Sequence, residues 1–357
     1  MAETSERPLL TFGIAAFNQE AFIREAVEAA FAQTYSPLEI VLSDDCSRDK
    51  TFEIMREMAA AYRGPHKVIL NRNEKQKSIG GHINRVVEVS HGELVVGAAG
   101  DDVSAPERTE ETFQAWNRHG RKATSIHSNF IQIDENGKTI EQVFKGAKEG
   151  GTSEPVEQTV DPLTYVRTLN PIVFGCAHTF SRKLYQIFGG LPEEVIHEDN
   201  VLAFRSILGG GLLSLSKPLV KYRVHSNNVY VRSRNRATDL KSLQRQEEHV
   251  RRNFRNRETM YGAFLKDLEK ARSQRLISDQ SAEAVGAEAT RLRLRYSLQQ
   301  RFFESGLVAK CRILARLRRD GLTPDELKLL SRRLVPQGLL LRVRLAMSYA
   351  AGAGKSC

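Results

Sequence analysis

The sequence predicts an α/β protein, in which a mostly parallel sheet is flanked by helices and followed by a C-terminal helical region. Two observations carry this prediction. Short apolar runs alternate with amphipathic segments over residues 9–99, and the chain becomes strongly basic beyond residue 231. Alternation of strand and helix patterns is typical of βαβ units, which build parallel sheets with helices on both faces.

Four strands and three helices are expected to alternate before residue 100. Helical periodicity is clearest over 20–31, where apolar residues recur every three or four positions, and Pro37 ends that unit. The predicted strands are 9–16, 38–43, 67–70 and 93–99, and the predicted helices are 20–31, 50–62 and 80–89. The right-handed crossover rule then places the carboxyl ends of all four strands at one edge of the sheet.

Beyond residue 100 the pattern becomes less regular. A helix is predicted over 107–118, a strand over 124–133 with its turn at 134–137, an apolar strand over 174–180 and a helix over 197–208. Everything beyond residue 228 has apolar residues at helical spacing among many arginines, which predicts a helical region.

The charge is divided unevenly between two parts of the chain. Residues 232–357 contain 28 Lys and Arg against 13 Asp and Glu, a net charge of +15, whereas residues 1–231 carry −5. We therefore expect two domains, 1–231 and 232–357, with different roles. The basic part suits an anionic partner such as nucleic acid or a lipid surface. A solvated, arginine-rich helical bundle without a charged partner fits the same composition.

The chain lacks the usual signals of export. Its first residues have no basic region followed by an apolar one, so no secretory signal is expected. No apolar run approaches the ~20 residues that span a bilayer. The four cysteines are scattered without metal-type spacing, and no disulfide is expected. The sequence therefore predicts a cytoplasmic protein.

Polar residues follow three of the predicted parallel strands. Asn18 follows the first strand, Asp44 and Asp45 the second, and Asp101 and Asp102 the fourth. Ligands of α/β proteins bind at the carboxyl edge of the sheet, so these side chains are expected to line one crevice. Adjacent carboxylates repel each other unless a positive group lies nearby, and a divalent cation bridging to a diphosphate is one such group. The alternative is a pair of solvated acids in a turn.

In its motifs and their order, the chain resembles family 2 glycosyltransferases of the GT-A fold, which is a Rossmann-like α/β fold. The resemblance covers about residues 8–231. Its motifs are the turn Ala16-Phe17-Asn18, the helix end Gln33-Thr34-Tyr35, the turn Asp44-Asp45-Cys46-Ser47, the strand that ends in Asp101-Asp102, the pair Glu198-Asp199 and the segment Tyr222-Arg223-Val224-His225.

The resemblance implies an activity. Residues 1–231 would form a GT-A glycosyltransferase domain. It would move one sugar from a nucleotide-diphosphate donor, a UDP-, GDP- or dTDP-sugar, to a hydroxyl of a glycan or lipid-linked acceptor, with inversion at the anomeric carbon. Related enzymes build cell-surface glycans. The Gln-x-x-Arg-Trp signature of processive synthases is absent, because Trp116 is the only tryptophan. The resemblance thus implies a non-processive enzyme.

It also implies a role for each site residue. Asp102 would bind Mn²⁺ or Mg²⁺ with His225 as a second ligand, although a histidine that bonds a loop backbone fits position 225 equally. Asp199 would be the general base, and Glu198 would contact the acceptor or the sugar. The residues implied in donor binding are Ala16, Phe17, Asn18, Asp44, Asp45 and Asp101.

Structural roles compete with some of these assignments. The acids near residues 44–49 and 197–199 also suit helix N-termini. Arg223 fits either a contact to the diphosphate or packing as an ordinary surface arginine. The chain departs from the family pattern at three places, with Cys46 where a glycine is usual, Gly81-His82-Ile83-Asn84 before the fourth strand, and Gly100 in place of the first acid of the metal motif. The metal is therefore expected to depend mainly on Asp102.

The C-terminal part leaves its partner open. Leucine-rich faces with arginines over 327–349 fit a helix lying on an anionic membrane surface, which would place the protein on the inner face of the cell membrane. The same segment fits a helix packed on the catalytic domain or on a second copy in a homodimer. The alternative function is a non-enzymatic basic helical scaffold or nucleic-acid-binding protein on a nucleotide-binding fold. Few aromatics and no recognisable motif argue against nucleic acid as a partner.

Overall fold

The computed structural model of the chain describes residues 7–141, 154–225, 228 and 240–334. Contacts divide these residues into two compact units. The first takes its described residues from Met1–Val231 and Ala263–Glu288, and the second takes them from Arg232–Gly262 and Ala289–Cys357.

A single mixed sheet is the centre of the first unit. Its strands, numbered along the described chain, are β1 Leu10–Ala16, β2 Leu38–Asp44, β3 Lys67–Arg72, β4 Leu94–Ala99, β5 Val103–Ser104, β6 Ser125–Ile133, β7 Thr139–Glu141, β8 Val156–Glu157, β9 His178–Ser181 and β10 Leu212–Arg223. The strand order is β3-β2-β1-β4-β9-β6-β10-β5, with β7 paired to β6 and β8 paired to β10.

Helices follow most of the strands and cover the sheet. In the first unit they are α1 Ile23–Phe31, α2 Thr51–Ala61, α3 Ile79–Val89, α4 Arg108–Arg118, α5 Pro162–Thr168, α6 Lys183–Phe188 and α7 Glu198–Gly209. The long helices α8 Leu240–Ser273 and α9 Asp279–Glu304 contribute residues to both units. The second unit also contains α10 Leu307–Arg319 and α11 Pro324–Ser331.

The predicted parallel arrangement is confirmed. β1 pairs in parallel with β2 and with β4, and β2 pairs in parallel with β3. β2 is buried along its whole length, as expected of a strand covered on both faces. The carboxyl ends of β1, β2 and β4 therefore meet at one edge, and Ala16 lies opposite Asp44 in the register.

Two parts of the sheet differ from the sequence prediction. The predicted strand over 174–180 is wrong in its first half, because residues Gly175–Ala177 form a 3-10 turn and only His178–Ser181 is extended. That short strand runs antiparallel to both β4 and β6. The twelve-residue strand β10 was not predicted, since Pro218 and two register shifts interrupt its alternating pattern.

The apolar core of the first unit lies between the parallel strands and their helices, and includes Phe12, Ile14, Val27 and Trp116. In the second unit a smaller cluster forms around Phe302, Leu317 and Leu330.

Within the described ranges, no helix combines the length and apolar character needed to cross a membrane.

Gln33, from the family's Gln-Thr-Tyr motif, holds the segment that follows the Asp101-Asp102 pair. Its amide nitrogen donates to the carbonyl oxygens of Ala29 and Ala105, at 3.0 and 2.8 Å. Its amide oxygen accepts from the backbone nitrogen and the hydroxyl of Thr109, at 3.0 and 2.7 Å. The end of α1 is thereby fixed to the start of α4, just beyond the acidic turn.

A buried ion pair fixes α7 to the segment of α8 that belongs to the first unit. Arg205 and Asp267 are both almost completely buried, and two hydrogen bonds of 2.8 and 3.0 Å join them. The same guanidinium donates to the carbonyl oxygens of Gly189 and Gly190. Removal of one member would leave a buried charge without its counter-ion.

We expect Asp267→Ala to lower the free energy of unfolding of the first unit by about 3–5 kcal/mol, because Arg205 would stay buried without its carboxylate. Urea unfolding followed by the fluorescence of Trp116, the single tryptophan, measures this change. Arg272→Ala is the matched control, since it breaks an exposed ion pair with Asp279 and should cost less than about 1 kcal/mol. Equal effects of the two variants would contradict the prediction.

Candidate active site

The Asp101-Asp102 pair lies directly after β4 and is buried, so the solvated-turn alternative does not hold. Asp102 accepts a hydrogen bond from the backbone nitrogen of Arg223 at Oδ1, at 2.8 Å. Its other oxygen, Oδ2, is buried and has no hydrogen-bond partner among the described residues. Asp101 Oδ2 accepts from His225 Nε2 at 2.9 Å. Asp102 Oδ2 is therefore a buried oxygen left for a ligand.

Arg223 lies beneath this pair and is fully buried. Its Nε donates to the carbonyl oxygen of Asp101 at 3.0 Å, and its terminal nitrogens reach Glu25 Oε2 at 2.8 Å and the carbonyl oxygen of Glu135 at 3.0 Å. Every nitrogen of the guanidinium thus has a protein partner. Of the two roles considered from the sequence, this geometry favours packing, although the arginine is interior and not at the surface.

A second buried cation, Arg108, lies near Asp102 and was missed by the sequence analysis. It donates to Ser104 Oγ at 2.9 Å and to the carbonyl oxygen of Gly97 at 2.7 Å. Burial lowers the pKa of Arg108 to about 10, against the attraction of Asp102. Burial, and then the charge of Asp101, raise the pKa of Asp102 well above its usual value. Nothing local in the sequence distinguishes Arg108 from the exposed arginines of other helices.

His225, the expected second metal ligand, bonds a carboxylate, that of Asp101. Besides its bond to Asp101, its ring lies 4.8 Å from the ring of Phe22. Its backbone nitrogen donates to Asn228 Oδ1 at 2.6 Å. The structure therefore brings His225 to the Asp101 side of the acidic pair.

The two acids after β2 have different environments. Asp44 is fully buried; its Oδ2 accepts from the backbone nitrogen of Ser47 at 3.0 Å, while Oδ1 has no partner within the described ranges. Asp45 is engaged at both oxygens, by Asn73 Nδ2 at 2.7 Å and by the backbone nitrogen of Lys77. Asp44 therefore keeps an acceptor for a ligand, whereas Asp45 shapes the loop that leads to α3.

The turns after β1 and β2 are joined to each other. Asn18 donates from its backbone nitrogen to Ser47 Oγ at 2.8 Å and accepts at Oδ1 from the backbone nitrogen of Arg48 at 2.9 Å. Ala16 accepts from the backbone nitrogen of Asp45 at 2.9 Å. Cys46 has a φ of 63°, in the left-handed region that favours glycine, which explains why glycine is usual there.

Phe17 is partly buried between these turns, and its backbone nitrogen donates to Gln19 Oε1 at 3.2 Å.

A buried polar network behind Asp44 was also missed by the sequence analysis. His82 Nε2 lies 2.9 Å from Ser43 Oγ, which accepts from Asn71 Nδ2 at 2.9 Å. Burial lowers the pKa of His82 even though Asp45 and Asp44 raise it. The departure at residues 81–84 was the available signal for this network.

The same helix, α3, positions the chain that enters α7. The backbone nitrogen of Gly80 donates to the carbonyl oxygen of Val195 at 2.8 Å, and a Cβ at Gly80 would lie 2.8 Å from the carbonyl oxygen of Pro192. Asn84 forms a pair of 2.8 Å hydrogen bonds with the backbone of Leu191. Glycine is thus required where α3 touches the loop before Glu198.

Glu198 and Asp199 begin α7, and Asp199 is buried. Asp199 Oδ1 accepts from the backbone nitrogen and the side chain of Asn200, at 2.7 and 2.9 Å. Burial raises the pKa of Asp199 to about 6, against the hydrogen bonds from Asn200 and from the backbone of Gly175. A carboxylate of this kind can accept a proton near neutral pH.

The 3-10 turn Gly175–Ala177 joins the two acidic pairs. Cys176 in this turn experiences the charges of Asp102, Asp101 and Asp199, and burial raises the pKa of its thiol well above the usual value. Phe130 and Tyr222 pack with the turn in a small apolar cluster. The structure thus brings Asp102 and Asp199, which are 97 residues apart in sequence, close to the same apolar turn.

The donor set around Asp102 fits a Mg²⁺ or Mn²⁺ ion that a diphosphate completes. Among the described residues, no three His, Cys, Asp or Glu side chains form a closed metal cage. Mg²⁺ is usually held by one or two carboxylates together with substrate phosphates, and not by an all-protein cage. The buried, partnerless Oδ2 of Asp102 is a suitable oxygen for such an ion.

Comparison with known proteins gives a consistent result. The sequence model of "Glycosyl transferase family 2" matches residues 11–188. Rv1520 of Mycobacterium tuberculosis is 26% identical over 221 residues, 60% of this chain and 58% of that protein. A Rickettsia typhi protein named glycosyltransferase RT0329 is 24% identical over 271 residues, 76% of each chain. The chain spans 58% of the length of the mycobacterial relative.

Two solved structures are distantly similar. Staphylococcus aureus TarS 1–349 in complex with UDP-GlcNAc is 17% identical and covers 82% of this chain and 92% of its own, with a TM-score of 0.48. The mannosyltransferase PcManGT from Pyrobaculum calidifontis, in complex with GDP-Man and Mn²⁺, is 15% identical. The match covers 95% of this chain and 87% of PcManGT, with a TM-score of 0.48. With the parallel sheet and the motifs in their expected order, the family match shows that the chain belongs to glycosyl transferase family 2.

Proposed function

We propose that this protein is an inverting, metal-dependent glycosyltransferase. It moves one sugar from a nucleotide-diphosphate donor to a hydroxyl of a glycan or lipid-linked acceptor. The observation that carries this proposal is the presence of two unlike carboxylates, Asp102 and Asp199, near the turn Gly175–Ala177. Asp102 keeps a buried oxygen for a cation, whereas the pKa of Asp199 is raised to about 6, which suits a base.

Asp44 supports a preference among donor nucleotides. Its buried Oδ1 has no partner among the described residues and can only accept hydrogen bonds when ionised. Uracil, thymine and guanine present a ring N–H to such an acceptor, whereas cytosine and adenine present a ring nitrogen lone pair. UDP-, dTDP- and GDP-sugars are therefore the proposed donors, with Ala16, Phe17 and Asn18 forming the neighbouring turn.

Asp102 would hold Mn²⁺ or Mg²⁺, with His225 as a second ligand. The ion would supply Lewis-acid stabilisation of the charge that grows on the departing diphosphate. Asp101 would act from the same turn by orienting His225, to which it is hydrogen-bonded. Arg223 holds the backbone of this turn in place and leaves Asp102 Oδ2 free.

Asp199 would act as the general base. It takes the proton of the acceptor hydroxyl while that oxygen attacks the anomeric carbon opposite the diphosphate. Such a single displacement inverts the anomeric configuration. Asn200 orients the carboxylate through its two hydrogen bonds to Oδ1, and the backbone of Gly175 stabilises it further. Glu198 lies beside it as a contact for the acceptor or the sugar.

Donor hydrolysis tests the function. Incubation with a panel of nucleotide sugars and Mn²⁺ should release UDP, GDP or dTDP, because water replaces the acceptor slowly in an assembled site. We expect Asp102→Ala to abolish both this release and the metal-dependent increase in donor affinity, which calorimetry measures. Asp161→Asn, at the exposed start of α5, is the matched control. Metal-independent release that survives Asp102→Ala would overturn the metal assignment.

We expect Asp199→Asn to lower kcat by about 10²–10⁴-fold while donor affinity is kept, since only proton removal is lost. In the unsubstituted enzyme, kcat/KM should fall as the pH drops through about 6, because the base must be ionised and its pKa is raised to that value. Steady-state kinetics from pH 4.5 to 8 measure both effects. An acidic limb at the ordinary aspartate pKa of about 4 would contradict the assignment.

Helix α10 supports a peripheral membrane location, on the inner face of the cell membrane. It carries five Lys and Arg and no acidic residue, and Leu307 and Val308 in its first turn are more than half exposed. Arg312, Arg316 and Arg319 are exposed and form no ion pair among the described residues. Of the segment 327–349 expected to bind membrane, residues 335–349 lie outside the described residues. A homodimer through the C-terminal part is a second proposal for the same region.

Vesicle flotation tests the membrane proposal. The protein should float with vesicles that contain anionic phospholipid and not with zwitterionic ones. We expect a triple alanine variant at Arg312, Arg316 and Arg319 to lower the bound-to-free ratio by about tenfold or more, since each arginine near an anionic surface contributes about 1 kcal/mol. The matched control is the triple alanine variant at Arg252, Arg255 and Arg301. If both variants lose vesicle binding equally, α10 is not the membrane-binding element.

A further inference from the structure

The two neighbouring carboxyl groups at the start of α7 have unequal surroundings. Asp199 receives the two hydrogen bonds from Asn200 and is also stabilised by the backbone of Gly175. Glu198 Oε2 is buried and has no hydrogen-bond partner within the described part of the chain. The Glu198 carboxyl group receives backbone hydrogen bonds from Glu198 and Asp199, and no salt bridge to it forms in that part of the chain.

Glu198 is held close to the turn that joins the two acidic pairs. A Cβ at Gly175 would lie 2.5 Å from Glu198 Oε1, so the carboxyl group lies directly against the backbone of that turn. The titratable groups that face it are Asp199 on its own helix and Tyr185 on α6. Burial keeps the phenol neutral, since it raises the pKa of Tyr185.

A buried pair of adjacent carboxyl groups cannot hold two negative charges at low cost. The negative charge is better stabilised on Asp199, which receives the backbone and side-chain hydrogen bonds of Asn200 as well as support from the backbone of Gly175, whereas Glu198 receives backbone hydrogen bonds alone. Burial and the charge of Asp199 raise the pKa of Glu198 well above its usual value. Paired carboxyl groups pushed apart in this way take different roles, one as a base and one as a neutral hydrogen-bond donor.

We propose that Glu198 is present as the neutral carboxylic acid and donates a hydrogen bond from its carboxyl group to a sugar hydroxyl in the active site, so that Asp199 alone carries the negative charge of the pair. This inference rests on the proposed transferase function. Glu198 keeps its proton throughout the reaction. A neutral Glu198 places no second negative charge beside Asp199, so Asp199 can act as the base.

The protonation state can be measured without activity. We expect the infrared difference spectrum between the unsubstituted protein and Glu198→Gln at pH 7 to contain the carbonyl band of a protonated carboxylic acid. Glu193→Gln is the matched control, because Glu193 is exposed and should show only carboxylate bands. Absence of the protonated band at position 198 overturns the inference, whatever the enzyme turns out to transfer.

Kinetics then test the hydrogen bond. Glutamine keeps a donor without charge, so Glu198→Gln should lose less kcat/KM than Glu198→Ala and leave the acidic limb near pH 6 in place. Glu198→Ala should lose about ten- to hundredfold. A higher KM for the donor alone would identify the sugar as the partner, and a higher KM for the acceptor alone would identify the acceptor.

An ionised Glu198 would give the opposite pattern. Its replacement by glutamine would then remove a charge beside Asp199 and move the acidic limb downward by about one pH unit or more. Full activity of Glu198→Ala would also overturn the inference. Lack of turnover in every variant with every nucleotide sugar would instead reject the transferase function, and the infrared band would still decide the state of Glu198.

Discussion

The structure of the site depends on the burial of Arg223. Two adjacent aspartates at the end of β4 would repel each other in a low-dielectric interior, and each would lose its hydration. Arg223 offsets both costs, because its backbone nitrogen binds Asp102 and its guanidinium binds the backbone of Asp101. The same guanidinium reaches Glu25 on α1 and the turn after β6. One interior cation therefore joins three separate segments of the fold around the acidic turn.

This arrangement leaves particular oxygen atoms available. Buried polar groups in proteins are nearly always hydrogen-bonded, so an exception at a strand end is informative. Asp44 Oδ1, Asp102 Oδ2 and Glu198 Oε2 are such exceptions, and they belong to the three motifs that point to donor base, cation and sugar. By contrast, the oxygens of Asp45 are taken up by the loop before α3. Among the acidic side chains of the described residues, the lack of a partner thus singles out these three more sharply than acidic character alone does.

Much of this fold could be predicted from the sequence, because the local pattern of apolar and turn residues determines where most of its strands and helices form. Four parallel strands, their helices and the polar residues at their ends could be predicted from apolar periodicity and turn residues. The reversed strand β9, the interrupted strand β10 and the buried state of Arg108 could not, since each depends on partners far away in the chain. The same holds for the contact of Gly175 with Glu198. The family pattern named the acids of the site, whereas their inequality emerged only from three-dimensional surroundings.

The two glycines that begin α3 have a consequence for how this enzyme can diversify. Gly80 and Gly81 let α3 touch the backbone that leads into α7, so a change in the position of α3 would be transmitted to the helix that carries the proposed base, Asp199. A lineage that reshapes α3 for a different donor would disturb the base as well. Donor specificity and catalytic rate would therefore change together. Laboratory evolution of a new donor preference would need compensating changes in the loop at 190–195.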